Sequence, residues 1–143
     1  MDEARLETLG LSPLAAELAS IAALRTHEDV IAWMGSALAT GIQVPLEFHV
    51  DADARDPARN LAYIWQGGLG LPDRDYYLDD TAELAETRKA YRAHIERMFR
   101  LAGWQDAAAA DTIMAIETRI AQKHWSAVQN RDDEKIYANQ VDF

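Results

Sequence analysis

The four histidines of this 143-residue chain, His27, His49, His94 and His124, are its first candidates for binding a transition metal, since it has no cysteine. A helical zinc site that activates water places two histidines at positions i and i+4, and a glutamate after the first acts as general base. Only His27 is followed by a glutamate, and Ile31 occupies the position of the second histidine. No other two histidines are four residues apart. The sequence therefore predicts no catalytic residue and no metal ligand.

Two weaker patterns could also bind a ligand. Glu117 and His124 are seven residues apart and would share a helix face, but two metal ligands lack a third, so a surface pair or a satisfied core pair is favoured. The Gly68-x-Gly70 spacing after a strand could cradle a phosphate. Asp73, however, stands where a dinucleotide fingerprint has its third glycine, and its carboxylate would repel a pyrophosphate.

A local acidic cluster follows these glycines and consists of Asp73, Asp75, Asp79 and Asp80. It lacks the spacing and the terminal bidentate glutamate of a calcium-binding loop. A solvated turn with helix caps is the favoured interpretation. A Ser–His–Asp triad cannot be recognised in the sequence, because such a triad is spatial.

The most distinctive stretch is residues 66–78, Gln-Gly-Gly-Leu-Gly-Leu-Pro-Asp-Arg-Asp-Tyr-Tyr-Leu. Glycine permits a positive φ or a close approach of the backbone, and proline fixes φ. The pattern predicts a tight turn from a strand into a helix, in which Arg74 bridges Asp75 and loop carbonyls through its five donors. If Gly70 has a positive φ, a valine there would strain the backbone. We assign structural roles to Gly68, Gly70, Pro72, Arg74, Asp75, Tyr76, Tyr77, Glu117, Arg131 and Asp132.

As a string, this stretch resembles the signature of the neprilysin-like zinc metallopeptidase family, in which G-L-x-L-P-x-R-D-Y-Y recurs. The resemblance continues at residues 117–121, at Arg131-Asp132 and at residues 135–137, and it covers most of residues 40–143. The chain departs from the family pattern after Tyr137, where Ala138 intervenes before the asparagine.

The resemblance implies that the chain is a fragment of the N-terminal, non-catalytic region of a larger zinc metalloendopeptidase. Residues 1–143 would form a single helical domain in the covering lobe, which encloses the catalytic cavity and restricts substrates to peptides by steric exclusion. The zinc and the general base would belong to the catalytic C-terminal half, which would be the partner of this chain. The chain itself would bind no cofactor. The resemblance also suggests a periplasmic or exported parent.

The charge of the chain bears on its partners. A formal net charge of −10 argues against nucleic acid and anionic membrane surfaces, and no apolar run approaches the roughly 18 residues of a membrane span. A free-standing acidic helical interaction module is the alternative function, and a small acidic protein that binds a peptide or an ion is a weaker one. Four tryptophans, Trp33, Trp65, Trp104 and Trp125, are many for so small a core, so we expect exposed apolar surface and self-association.

The periodicity predicts a mainly α fold with two short helices, two long antiparallel helices and one small β-hairpin. The short helices cover about residues 12–22 and 27–40, and a capping box of Thr26 and Asp29 opens the second. The strands cover residues 42–50 and 61–66. The long helices run from Thr81 to Ala102 and onward from Asp106. The apolar positions predicted to face inward are Val30, Ile31, Met34 and Leu38, then Leu84, Tyr91, Ile95, Met98 and Ala102, then Ile113, Ile116, Ile120 and Trp125. The strand alternates Val44, Leu46, Phe48 and Val50 on one face.

Overall fold

The computed structural model describes residues 2–53 and 55–139. The chain divides into two units, one ending at Val44 and the other beginning at Pro45. We describe each unit by itself. None of the helices in the described ranges is long and apolar enough to cross a membrane.

The first unit contains three helices, α1 (Glu3–Leu9), α2 (Ala15–Ala22) and α3 (His27–Ala39), with a 3-10 turn at Ser12–Leu14 before α2. The capping box predicted for α3 is present: Thr26 Oγ1 accepts the Asp29 N–H, and the Asp29 carboxylate accepts the Thr26 N–H. Two donors at the helix start are thereby satisfied. Helix α1 was not predicted.

Helix α3 uses a different face from the one predicted. The indole N–H of Trp33 donates to Ser20 Oγ of α2 at 2.9 Å, and Ala37, one turn further, is buried. Ile31 lies two positions from Trp33, about 200° around the helix, and its side chain is 69% exposed. The prediction that Ile31 is buried was wrong, and Val30 is exposed as well.

The second unit begins with the predicted hairpin, β1 (Leu46–Ala52) and β2 (Asn60–Gln66), which pair antiparallel with Phe48 opposite Ile64. Strand β1 starts later than residue 42, because Pro45 has no N–H to donate to a ladder. Its carbonyl does accept the Gly67 N–H at 3.0 Å.

One face of this hairpin is apolar and open. We call it the hairpin face, and it consists of Leu46, Phe48, Val50, Ala62 and Ile64, all of them exposed. Phe48 and Ile64 are 55% and 67% exposed. The predicted alternation along β1 is therefore present, but within the described part of the chain about half or more of each large side chain on this face stays exposed.

Four helices follow: α4 (Asp75–Leu78), α5 (Ala82–Leu101), α6 (Ala109–Ala121) and α7 (Asp133–Ala138), with a 3-10 turn at Gln129–Arg131. Thr81 caps α5 by accepting the Leu84 N–H, and Gly103 after it has a φ of 76°, as suits a residue just beyond a helix end. Asp106 does not cap α6 directly. Its carboxylate accepts the Ala108 N–H at 2.9 Å, which forms a preceding turn, so α6 begins at Ala109.

The buried apolar side chains in the described part of this unit are Tyr77 on α4, Ile95 on α5, and Ala109, Ala110 and Ala121 on α6. Small alanines at both ends of α6 permit close packing there. Met98 and Ile116, which were predicted to face inward, are 50% and 51% exposed. The mainly α fold with one hairpin is confirmed, and the described residues add short helices to the predicted four.

Candidate functional site

A carboxylate between two phenols is the centre of the second unit. Tyr77 Oη donates to Glu117 Oε2 at 2.6 Å, and Tyr91 Oη donates to Glu117 Oε1 at 3.0 Å. The three side chains come from α4, α5 and α6, so this cluster joins three helices. Each phenol donates to a charged acceptor, and such hydrogen bonds are stronger than neutral ones.

Tyr77 also fastens the glycine turn to the helices. Its hydroxyl accepts the Leu71 N–H at 2.9 Å while it donates to Glu117. A phenol can do both at once, and at 6% exposure the side chain is well enclosed. The turn therefore depends on a residue at the end of the same motif.

Burial and Glu117 shift the acidity of both phenols in the same direction. Loss of solvation, together with the hydrogen bond to the carboxylate, raises the pKa of Tyr91 to about 12. The same two causes, in the same order, raise the pKa of Tyr77 well above its usual range. Loss of solvation disfavours the charged phenolate, and the nearby Glu117 carboxylate favours the phenol that donates to it. The cluster thus holds two neutral phenols.

Two glycines of the motif have different roles. Gly68 has a φ of 80°, which side-chain-bearing residues rarely adopt, whereas Gly70 does not have a positive φ. A Cβ at Gly70 would lie 2.5 Å from Cζ of Tyr91 and would overlap its hydroxyl oxygen. The hypothesis of a positive φ at Gly70 was therefore wrong. This position is restricted by the approach of Tyr91.

The arginine that holds the turn is Arg88, which the sequence did not single out. Its guanidinium donates to the carbonyl oxygens of Tyr76 at 3.0 Å and Asp79 at 2.7 Å, and it pairs with Asp80 at 3.3 Å. It lies three residues before Tyr91 on α5, so both reach the motif from one helix face. The three-residue spacing of Arg88 and Tyr91 was the signal in the sequence that could have identified Arg88.

Arg74 does less than predicted. It pairs with Asp75 at 3.3 Å, but among the described residues it donates to no loop carbonyl, and its buried Nε has no partner. Pro72 precedes the short turn in which the Asp75 N–H donates to Asp73 Oδ1 at 2.8 Å. Of the acidic cluster, Asp73 thus stabilises a local turn, and Asp75 and Asp80 form ion pairs.

The C-terminal motif residues lie apart from this centre. Asp132 caps α7 by accepting the Lys135 N–H at 3.2 Å. Arg131 makes no side-chain hydrogen bond or ion pair with Asp132, or with any other residue in the described ranges. The predicted bridge is therefore not seen there. Residues 140–143, the end of that motif region, lie outside the described residues.

Gln66 makes a connection that sequence reasoning missed. Its side-chain oxygen accepts the Trp125 N–H at 2.7 Å, and its amide nitrogen donates to the Trp125 carbonyl at 3.2 Å. The side-chain amide of Gln66 therefore pairs with the backbone N–H and C=O of Trp125, as the backbone of a neighbouring strand would. No local pattern marks two partners so distant in sequence.

The residues present do not fit a zinc ion. Among residues 2–53 and 55–139, no three His, Cys, Asp or Glu side chains lie close enough to bind one metal. Both Glu117 oxygens already accept phenol protons. Helix α6 ends at Ala121, before His124. The pairing of Glu117 with His124 on one helix face, considered above, is therefore not realised.

Comparisons with known proteins agree on one family. The model for peptidase family M13 matches residues 1–142. Endothelin-converting enzyme 1 of Cavia porcellus is 34% identical over 93 residues, which are 62% of this chain and 12% of that protein. An endothelin-converting enzyme homolog of Locusta migratoria is 32% identical over 93 residues, 63% of this chain and 13% of that protein.

A solved structure shows the same fold. The zinc metalloprotease Zmp1 of Mycobacterium tuberculosis, in complex with an inhibitor, matches 93% of this chain with a TM-score of 0.84 and 36% identity, and the match is 20% of that chain. The chain thus spans between about an eighth and about a fifth of the length of the proteins it resembles. Because the family model covers almost every residue and the neprilysin-like motif agrees with it, this chain belongs to peptidase family M13 and corresponds to its N-terminal region.

Proposed function

We propose that this chain forms part of the helical lobe that encloses the catalytic cavity of a zinc-dependent metalloendopeptidase and does not itself catalyse hydrolysis. One observation carries the proposal. A zinc metalloprotease matches 93% of the chain at a TM-score of 0.84, yet the described residues contain no group that could bind zinc. We assign the zinc and the general base to the part of such an enzyme outside this chain.

The lobe would select substrates by shape. A wall beside a catalytic cavity excludes folded proteins and admits peptides only if it keeps its form. The Glu117 cluster supports this role, because it ties α4, α5 and α6 together through two hydrogen bonds to one carboxylate. Arg88 and Tyr77 fasten the glycine turn to the same helices. We propose that the motif residues are structural parts of that wall.

The partners of this chain would then be the catalytic half of the enzyme and, through it, peptides. Self-association of the separate chain stays a prediction. Of the four tryptophans, Trp104 has 46% of its surface exposed and makes an edge contact with Phe99. The other three are only partly exposed.

An experiment on the natural gene product tests the proposal. An antibody raised against this chain should detect a polypeptide much larger than 16.0 kDa, and zinc and peptide hydrolysis should copurify with it. The separate chain should retain no stoichiometric zinc after dialysis and should cleave no peptide. His27→Ala, at the only His-Glu pair, should leave the zinc content of the larger product unchanged.

Two results would contradict the proposal in different ways. One zinc per separate chain, with hydrolysis abolished by a chelator, would place catalysis in these residues. A natural product of about 16.0 kDa without zinc would instead favour the free-standing acidic interaction module.

A further inference from the structure

A groove in the second unit runs between the end of the hairpin and the end of α6. Its volume is about 670 Å³, and the residues that form its apolar walls include Leu46, Ile64, Ile116 and Ile120. We call it the isoleucine groove. Ile64 and Ile116 are 67% and 51% exposed, and Leu46 is 47% exposed. Three large aliphatic side chains in one groove are thus open to solvent, which is costly unless another apolar group covers them.

The charge of this groove is opposite to that of the chain. The chain has 24 acidic and 14 basic residues, yet no Asp or Glu lines the groove, whereas Arg119 and Lys123 do. Arg119 lies in the last turn of α6, Lys123 lies in the turn that follows Ala121, and both side chains line the groove. Within the described ranges neither has a carboxylate at ion-pairing distance, although Arg74, Arg88, Lys89 and Arg92 all do.

The hairpin that supplies Leu46 and Ile64 to the groove also has unpaired strand edges among the described residues. Strand β1 pairs only with β2 among the described residues, and all seven of its residues are exposed. An unpaired strand edge presents N–H and C=O groups to an extended peptide. Apolar walls, two free cations and a strand edge together fit a polypeptide better than they fit a compact small molecule.

We infer that the isoleucine groove binds a polypeptide segment that carries apolar side chains and at least one carboxylate, supplied by the remainder of the peptidase. This inference rests on the proposed function, in which the chain is one part of a larger enzyme. The apolar side chains would cover Ile64 and Ile116, and the carboxylate would pair with Arg119 and Lys123. The groove is then the place where the rest of the enzyme fixes the position of the hairpin.

A second copy of this chain is a poorer occupant. A symmetric dimer would place the same patch of both copies face to face. Arg119 and Lys123 of one copy would then approach the same cations of the other, and no carboxylate lines the groove to separate them. A different segment with its own acidic residue avoids this repulsion.

Peptide titration of the 143-residue chain tests the inference. The probes are fluorescein-labelled eight-residue peptides of alternating leucine and glutamate, of leucine and lysine, and of serine and glutamate, with binding followed by anisotropy. The leucine–glutamate peptide should bind best, because it alone supplies both features. The double variant Arg119→Glu/Lys123→Glu should weaken its binding about tenfold or more, since two attractive contacts become repulsive.

Arg97→Glu/Arg100→Glu is the matched control. It changes the net charge equally and, like Arg119→Glu, alters the last turn of a helix, here at Arg100 of α5, but neither residue lines the groove. It should leave peptide binding unchanged. Circular dichroism of both double variants would establish that each remains folded.

Several results would overturn the inference. Equal binding of the leucine–lysine peptide would show that the cations do not select the occupant, and binding of none of the peptides would show that the groove has no such role. Preferential binding of laurate would indicate a lipid carboxylate. A dimer in sedimentation equilibrium that Arg119→Glu/Lys123→Glu dissociates would make a second copy the occupant. The zinc and hydrolysis assays do not involve the groove, so these failures would leave the proposed function standing.

Discussion

Adding a single methyl group at Gly70 should destabilise the second unit. The Cβ of Gly70→Ala would lie 2.5 Å from Cζ and 3.1 Å from Cε2 of Tyr91, and closer still to the hydroxyl oxygen. Carbon atoms in contact prefer about 3.5–4.0 Å. Tyr91 would therefore have to rotate away, and its 3.0 Å hydrogen bond to Glu117 would be lost.

The size of this effect follows from the bond that breaks. A hydrogen bond to a charged group contributes about 1.5–3 kcal/mol net. Alanine also restricts the unfolded chain, which returns about 0.4–1 kcal/mol. We expect Gly70→Ala to lower the free energy of unfolding by about 1–2 kcal/mol.

Urea unfolding followed by circular dichroism would measure it, with Gly35→Ala as the matched control. A Cβ at Gly35 meets nothing within 4 Å, and this glycine lies inside α3. Gly35→Ala should therefore stabilise the chain by about 0.5–1 kcal/mol, because alanine is the better helix former. The same substitution should thus have opposite signs at the two positions.

A double-mutant cycle would locate the cause. Tyr91→Phe already lacks the hydrogen bond to Glu117 and the oxygen atom nearest to the new methyl group, so Gly70→Ala should cost less in that background, by about 1 kcal/mol. Equal stability of Gly70→Ala and the wild type would refute the steric argument. Additive effects of the two substitutions would show that the hydroxyl of Tyr91 is not the obstacle.

Three further predictions concern the same helices. Tyr77→Phe should lower the free energy of unfolding by about 2–4 kcal/mol, since it removes a hydrogen bond to a carboxylate and leaves a backbone N–H without its acceptor; urea unfolding would measure this, and a loss below 1 kcal/mol would contradict it. The pKa values of both phenols are raised in the folded state, so the stability linked to them is complete below their unfolded pKa near 10. The part linked to Tyr91 is lost as the pH rises through about 12. Ultraviolet titration of Glu117→Gln should show a lower pKa for Tyr91, still above 10.0, because burial is the larger cause; an unchanged value would refute the contribution of the carboxylate. Arg92 holds the pKa of Asp111 below its usual 3.8 through bonds of 2.6 and 3.1 Å, so that contribution is present above 3.8 and is lost as the pH falls through the lower folded value. NMR titration of Arg92→Gln should show the Asp111 pKa rising toward 3.8, and no rise would exclude the ion pair in solution.

Features that depend on a few neighbouring residues, such as helix caps and the types of the elements, could be predicted well from the sequence. The capping box of Thr26 and Asp29 needs only residues three apart, and Thr81 marked the start of α5 in the same way. Alternation along β1 and helical periodicity gave the element types. These features depend on backbone conformation over a few residues.

Features that depend on distant partners could not be predicted. Gly70 was explained by φ, whereas its restriction comes from Tyr91, 21 residues later. Arg88 took the role expected of Arg74, because the carbonyls of the turn face α5. Ile116 has the apolar character of a core residue, but its exposure depends on what lies against α6. Periodicity identifies an apolar face without identifying what covers it.

The bonds between Gln66 and Trp125 have a consequence for how the second unit folds. They join residues 59 apart, so the chain between them must close a large loop before they form, and the entropy of closure grows with loop length. The hairpin and the α5–α6 pair need only short closures and can form early. We therefore expect docking of the hairpin onto the end of α6 to be the late step in folding. On unfolding, we expect the hairpin to detach from the helices while the bonds of Glu117 still hold them together.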